Sequence, residues 1–468
     1  MSGSPTRKPV TLDASLVPPT IRDAASQVVT SLRSAGHQAY FAGGFARDLL
    51  IGRPVHDIDI ATDAPPNRVE SLFPDSRSFG KSFGVVQVII DDCPFEVATF
   101  RTEGPYRDGR RPESVRFTTP DEDARRRDFT INGMFYDPAS GEVIDYVGGL
   151  ADLERRLIRA IGIPAERFAE DHLRILRAIR FASVLEFDID PATLQAMRDH
   201  ADDLRAISPE RIRDELIRTL MEAPHPGTAL KRLSATGILA VILPEVEAMH
   251  GVEQPPDYHP EGDVFEHVCL MLETMKERTP ALVWSILMHD VAKPATFSIQ
   301  PDRQGNPRIR FFGHDEQGAI MAADILRRFR CPNQLIDDVV IAVRNHMRFA
   351  AVPEMRAATL RKWVGAPTFP LELELHRIDC LSSHGSLDHY DQIRTFRDTL
   401  TTEPALPRPL ITGKDLMQRG LTPGPHLGRV LKSIYEQQLE GSFSDRITAE
   451  AWLDQHLDTL RASPDIQP

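Results

Sequence analysis

Two adjacent glycines between an apolar segment and an Arg-Asp pair, with two further aspartates starting nine residues on, constrain this chain more than any other feature. Tyr40-Phe41-Ala42 reads as a short buried strand, and Gly43-Gly44 then lets the backbone turn tightly and approach a ligand closely. Arg47 and Asp48 fall at the start of a short helix, whose amide end and the Arg47 guanidinium suit a polyphosphate. Residues 55–62 read as a strand of alternating character, so Asp57 and Asp59 project from one face. Two like charges that close are unfavourable without a divalent cation, and Mg²⁺ held by carboxylates plus phosphate oxygens is the usual solution. Alone, a glycine pair is a turn and a D-x-D is a solvated strand. Their order, with strand, turn, helix and strand around them, makes a site.

Length and charge bound the rest. At 468 residues the chain exceeds one core, and two to four domains are expected. A formal charge of −13 argues against nucleic-acid binding by the whole surface, so such a partner needs a local basic patch. Residues 155–180 hold seven arginines against Glu166, Glu170 and Asp171, and Arg125-Arg126-Arg127 add a second cluster. The bland reading of such runs is a solvated helix face. The four cysteines form no CxxC and read as reduced thiols of a cytoplasmic protein. Residues 1–22 are expected to be disordered and carry no signal peptide. No apolar run has membrane-spanning length, the longest being broken by His289-Asp290.

Residues 84–90 and 95–101 are β-branched runs separated by Asp91-Asp92-Cys93-Pro94 and read as a hairpin extending the aspartate-bearing sheet. Glu96 is either a strand-end salt bridge, the first reading, or a third carboxylate near the metals. A polar, arginine-rich loop follows over residues 104–116. In Arg126-Arg127-Asp128-Phe129-Thr130-Ile131-Asn132, a cation can meet phosphate while Asp128 and Asn132 reach a ribose hydroxyl. Residues 170–182 have helical periodicity, with Asp171 and Arg174 at i, i+3 and Arg177 and Arg180 continuing the polar stripe. Cytosine and adenine both present an exocyclic amine beside a ring-nitrogen acceptor. Asp171 can accept from the amine while Arg174 donates to the nitrogen. Uracil and guanine reverse that pattern. The alternative is an intrahelical salt bridge.

The ordered motifs GGxxRD, DxD, RRDFTIN and EDxxRxxRAxRF over residues 43–182 resemble class II tRNA nucleotidyltransferases, the bacterial CCA-adding enzymes and their poly(A) polymerase relatives. The resemblance implies a polymerase-β-like head in which Asp57 and Asp59 bind Mg²⁺. It further implies nucleotide contacts from Gly44, Arg47, Arg127, Asp171, Arg174, Arg177 and Arg180, joined by Gly43, Asp128 and Asn132 from the reading of the residues. tRNA, CTP and ATP are the implied partners, and residues 101–112 look like the family's flexible loop, needed for the switch from C to A.

Further on, His267, His289-Asp290, His314, His346 and Asp379 fall on successive helices. They resemble the HD-domain phosphohydrolases: His267, His289, Asp290 and Asp379 match H…HD…D, and His314 and His346 fall where some versions bind a second metal. A transition metal (Mn²⁺, Ni²⁺, Co²⁺ or Fe²⁺) is expected there. The expected fold is α+β: a mixed-sheet head over residues 23–150, an all-α neck and body over 151–245, an all-α HD domain over 246–404 and a helical tail over 405–468, with a homodimer left open. An A-adding enzyme acting on ends that already carry CC fits the same motifs. An HD phosphohydrolase with a nucleotide-sensing head is the alternative from another class.

Overall fold

The computed structural model describes residues 4–13, 15–55, 57–77, 84–104, 114–255, 259–400 and 405–462. The chain separates into two compact units, Met1–Ala248 and Met249–Pro468.

The β-branched and aromatic runs of the first unit pair into an eight-stranded sheet. Its strands are β1 (Thr6–Pro9), β2 (Ala39–Ala42), β3 (Asp59–Thr62), β4 (Ser76–Arg77), β5 (Val85–Ile90), β6 (Cys93–Thr99), β9 (Met134–Asp137) and β10 (Glu142–Asp145), in the order β1-β10-β9-β2-β3-β6-β5-β4. β7 (Arg101–Glu103) and β8 (Val115–Phe117) form a separate antiparallel pair at the base of the expected flexible loop. Residues 105–113, the middle of that loop, lie outside the described residues.

β2 and β3 run antiparallel at the centre, with Ala42 opposite Asp59, and β3 pairs with β6 in parallel. This register decides where the site falls. β2 stops at Ala42 because Gly43 turns the chain at φ +67°, so β3 has a partner only from Asp59 onward. The expected strand over residues 55–62 is therefore half that length. Its alternation persists outside the ladder, with Val55 and Ile58 buried and Asp57 exposed.

Three further expectations are corrected. The first 22 residues are not all disordered: β1 adds to the sheet edge along β10, and Arg7 pairs with Glu142 at 3.0 Å. All four β1 residues are exposed, so no apolar pattern announces the strand. The β5–β6 turn is only Asp91-Asp92, both at positive φ, in the manner of a type I′ hairpin, and Cys93 and Pro94 belong to β6. The helix expected through residues 170–182 breaks at Asp171, which stands between Pro164–Glu170 and Leu173–Val184 with extended backbone (φ −140°, ψ 101°).

Helices Pro191–Asp199, Pro209–Glu222 and Pro226–Ala235 follow, each opening on a proline whose missing N–H costs nothing at that position. In the second unit, Val264–Thr274, Pro280–Met288, His314–Arg328, Asn333–Asn345 and Phe369–Ser382 form the helical body. The HD segment is not all-α as expected. An antiparallel hairpin, Ser298–Pro301 with Pro307–Arg310, is inserted between two of its helices. Helices Gly413–Gln418, Pro425–Leu439 and Arg446–Ala462 close the chain around a small core that includes Leu416, Val430, Ile434 and Leu453.

Candidate active site and candidate metal centre

At the ends of the central strands, a Cβ on Gly43 would lie 3.0 Å from Asp59 Oδ2 and 4.0 Å from Arg127 Nη1. Only glycine tolerates both that contact and that φ. Asp57 and Asp59 are both exposed here, as expected, and Glu96 joins them because the parallel pairing of Ile60 with Val97 sets Asp59 beside it. Among the described residues Glu96 has no ion-pair partner, so the salt-bridge reading gives way to the third carboxylate. Although Asp59 is exposed, protein crowds its carboxylate. Desolvation, then the charges of Glu96 and Asp57, push its pKa up to about 6, partly offset by Arg127. Asp59, with Glu96 and Asp57 close enough to repel it, offers hard oxygen donors of the kind a divalent cation takes.

Beside them the cations are held in a network. Arg47 donates to Asn132 Oδ1 (2.6 Å) and to both oxygens of Asp48 (2.8 Å each). Asn132 in turn donates to Asp128, which also accepts twice from Arg177 at 2.9 and 2.6 Å. Burial alone would raise the Asp128 pKa, but the Arg177 charge and hydrogen bonds from Asn132, Arg177 and the Phe129 N–H outweigh it, holding it at about 2. Arg180 is buried against Glu215 at 2.7 Å. The guanidinium carbons of Arg47, Arg177 and Arg180 lie 5.2, 5.3 and 4.4 Å from the centre of the Phe181 ring. One aromatic ring thus gathers three guanidinium groups. Phe181 and Glu215 went unnoticed as site residues; the only sequence signal was the Phe that closes RAxRF.

Asp171 and Arg174 do not pair with each other. Asp171 accepts from Arg211 with both oxygens at 3.3 Å and from the Leu173 N–H at 3.2 Å. The buried Arg174 donates to Glu170 Oε2 (2.7 Å) and to the carbonyls of Arg167 and Arg126. The arginine clusters are likewise engaged: Arg125 with Asp121, Arg126 and Arg127 with Asp123, and Arg159 with Asp152 and Asp190.

The second unit gathers the expected histidines. His289, His314 and His346 each bind a main-chain carbonyl three residues back through Nδ1 (Ile286, Phe311 and Val343, at 2.9, 2.7 and 2.6 Å). A carbonyl only accepts, so Nδ1 carries a proton in each ring; where the ring is neutral Nε2 is then the lone-pair atom, and His289 Nε2 stands 3.0 Å from Asp290 Oδ2. The Nε2 atoms of His314 and His346 face each other at 3.1 Å, with Asp290 Oδ1 3.5 and 3.8 Å away. Burial, the largest cause, lowers the His346 pKa to about 4, so His346 itself brings no second ring proton to this contact near neutrality. Opposed lone pairs around a buried carboxylate fit a cation. His267, His289 and Asp379 form a second such group. Near it stands a residue the sequence reading missed, Glu261, 2.6 Å from His267 Nδ1 but off the line of a hydrogen bond. Also missed was Lys293, whose Nζ lies 2.7 Å from Asp290 and donates to Gln254 at 2.6 Å.

Residues 39–159 match the Poly A polymerase head domain, residues 186–249 the probable RNA and SrmB-binding site of polymerase A, and residues 264–383 the HD domain. The CCA-adding enzyme of Levilactobacillus brevis is 33% identical over 421 residues, 89% of this chain and 93% of that one. The chain belongs to the CCA-adding enzyme family. It is a tRNA nucleotidyltransferase, and its head and HD domains imply the use of divalent metal. The CCA-adding enzyme of Enterococcus faecalis is 32% identical over 429 residues, 90% of this chain and 93% of that one. Among solved structures, the Bacillus stearothermophilus CCA-adding enzyme in complex with CTP superposes with a TM-score of 0.72 at 27% identity, covering 95% of this chain and 99% of that one. The Thermotoga maritima CCA-adding enzyme complexed with tRNA shares the fold, with a TM-score of 0.58 at 20% identity over 96% and 99% of the two chains. No helix among the described residues is long and apolar enough to cross a membrane.

Proposed function

We propose that this cytoplasmic enzyme completes tRNA 3′ ends with C and A, taking CTP and ATP without a nucleic-acid template. The observation that carries the reading is the meeting of Asp57, Asp59 and Glu96 with Gly43 and Arg127 at the ends of β2 and β3. Asp57 and Asp59, with Glu96 beside them, would hold Mg²⁺, which when bound would activate the tRNA 3′-OH and neutralise the pyrophosphate leaving group. Gly43 keeps the strand end open for the triphosphate. Arg47, Arg127 and Arg177 offer it guanidinium donors, while Arg180, buried on Glu215, lies with Arg177 against the Phe181 ring.

Asp171 and Arg174 read the base by exchanging partners: Asp171 leaves Arg211 for the exocyclic amine and Arg174 leaves Glu170 for the ring nitrogen. Replacing both, Asp171→Ala with Arg174→Ala, leaves the triphosphate held but the base unread. UTP and GTP then enter, and a variant that still prefers CTP and ATP shows that the reader is elsewhere. Supplying tRNAs that end before, within and after CC, with CTP and ATP separately, distinguishes full CCA addition from A addition alone.

In the HD domain the imidazole donors favour Mn²⁺, Fe²⁺, Co²⁺ or Ni²⁺ over Mg²⁺, and the reading is hydrolysis of a phosphomonoester or a 2′,3′-cyclic phosphate. Elemental analysis of protein purified without chelator, beside a 2′,3′-cyclic nucleotide assay, tests it. No bound metal and no hydrolysis would make the domain a scaffold.

A further inference from the structure

The hairpin inserted in the HD domain has no part in the chemistry described so far, yet it is tied to the metal centre at both ends. It leaves the helix that begins at Lys293, the partner of Asp290, and it returns through Phe311, whose carbonyl orients His314. The Phe311 ring also covers the Lys293 ammonium at 5.2 Å and meets the His314 ring at 6.4 Å.

The hairpin itself is open to solvent, and its turn is closed by hydrogen bonds. At its tip Asp302 accepts from the N–H groups of Gln304 and Asn306 (2.8 and 2.9 Å), and its own N–H donates to the Asn306 carbonyl at 2.8 Å. Along one face Ile299 pairs with Ile309, and Phe297 meets Phe311 at 5.9 Å. The other face carries Arg308 and Arg310, with Arg310 beside the Phe312 ring at 5.9 Å. Ile299 and Phe312 are 62% and 66% exposed. Residues 297–312 hold three arginines against the single Asp302, whose carboxylate is occupied in the turn, within a chain of net charge −13.

We propose that this hairpin is an RNA-binding arm that delivers a single-stranded RNA 3′ end to the HD metal centre, with Phe312 stacking on a base and Arg310 and Arg303 meeting phosphates. Aromatic side chains next to guanidinium groups bind unstructured RNA by base stacking and phosphate contact. A hairpin built to pair with a second copy would have less use for arginines flanking an exposed ring. The proposal rests on the HD domain acting on RNA ends and names what selects them.

The test compares the full-length wild type with the double variant Phe312→Ala, Arg310→Ala on 2′,3′-cyclic AMP and on a tRNA ending in a 2′,3′-cyclic phosphate. Cyclic AMP is too small to span the arm, so its hydrolysis should stay within about two-fold. Hydrolysis of the tRNA end should fall about ten-fold in kcat/KM, through KM, and lose part of its salt dependence, about 0.7 in the log–log slope for one phosphate contact. Wild-type activity of the variant on the tRNA end, or an equal fall on both substrates, would overturn the proposal. So would a shift from dimer to monomer in light scattering with tRNA-end hydrolysis unchanged. If the wild type hydrolyses neither substrate, the phosphohydrolase reading fails separately. Cross-linking from a 3′-terminal 4-thiouridine then decides the arm: labelled peptides within residues 297–312 sustain it, and labels only elsewhere refute it.

Discussion

Asp59 is a liability in the metal-free protein, and on the proposed function it becomes an asset once a cation arrives. Asp59→Asn removes a carboxylate that Glu96 and Asp57 repel, so the metal-free variant should be slightly more stable at pH 7.5, by less than about 1 kcal/mol given the exposure of the site. Nucleotide addition should fall by at least about a thousand-fold, and added Mg²⁺ should raise Tm less than in the wild type. Thermal melts with and without Mg²⁺, beside an incorporation assay, check all three. The sign of the pH effect follows. With a folded pKa near 6, above the ordinary 3.8, Asp59 takes up a proton as pH falls through 6 and must lose it to bind metal. The Mg²⁺ concentration for half-maximal activity should therefore climb from pH 7.5 to pH 5.5. A flat dependence would assign the raised pKa no part in metal binding. Asp57 and Asp59 were expected together from a D-x-D read as strand; both are exposed, but only Asp59 belongs to β3. Glu96 was not legible in the sequence, because only the parallel pairing of β3 with β6 brings it beside Asp59.

At the scale of the element, the segment around Asp171 shows how an apolar periodicity can be right while the helix is interrupted. Leu173, Leu176 and Ile179 are buried as their spacing requires. The break falls where the Asp171 side chain caps the Leu173 N–H and turns toward Arg211, a contact forty residues away in sequence. The same helix carries Arg180, whose buried charge is balanced by Glu215 on Pro209–Glu222. Glu215→Ala would leave that charge only the more distant Glu222, 3.8 Å away, and should destabilise the first unit by about 3 kcal/mol, visible as a lower denaturant midpoint. Glu215→Gln, which keeps a hydrogen-bond acceptor, should lose less. A variant as stable as the wild type would mean that Arg180 finds solvent.

For the whole molecule, each of the two units carries its own set of candidate metal ligands. His289→Ala with Asp290→Ala should abolish retention of transition metal, measured by elemental analysis, and any phosphohydrolysis, while CCA addition stays within about three-fold because the head ligands are untouched. Loss of both activities together would show that the units depend on each other. The sequence alone determined the things that depend on short range: the glycine turn, the aspartate pair, the order of the nucleotidyltransferase motifs and the succession of HD ligands, each set by residue type and local spacing. Only the tertiary structure decided which charges stay free. The arginines of residues 155–180 look like an unbalanced basic run in sequence, yet Arg159, Arg177 and Arg180 are matched by Asp190, Asp128 and Glu215, none of which lies within the run. Likewise the lone pairs of His314 and His346, thirty-two residues apart, oppose each other only once their helices pack. Coulomb and coordination energies depend on distance in space, and beyond a turn or two of chain the sequence does not record that distance.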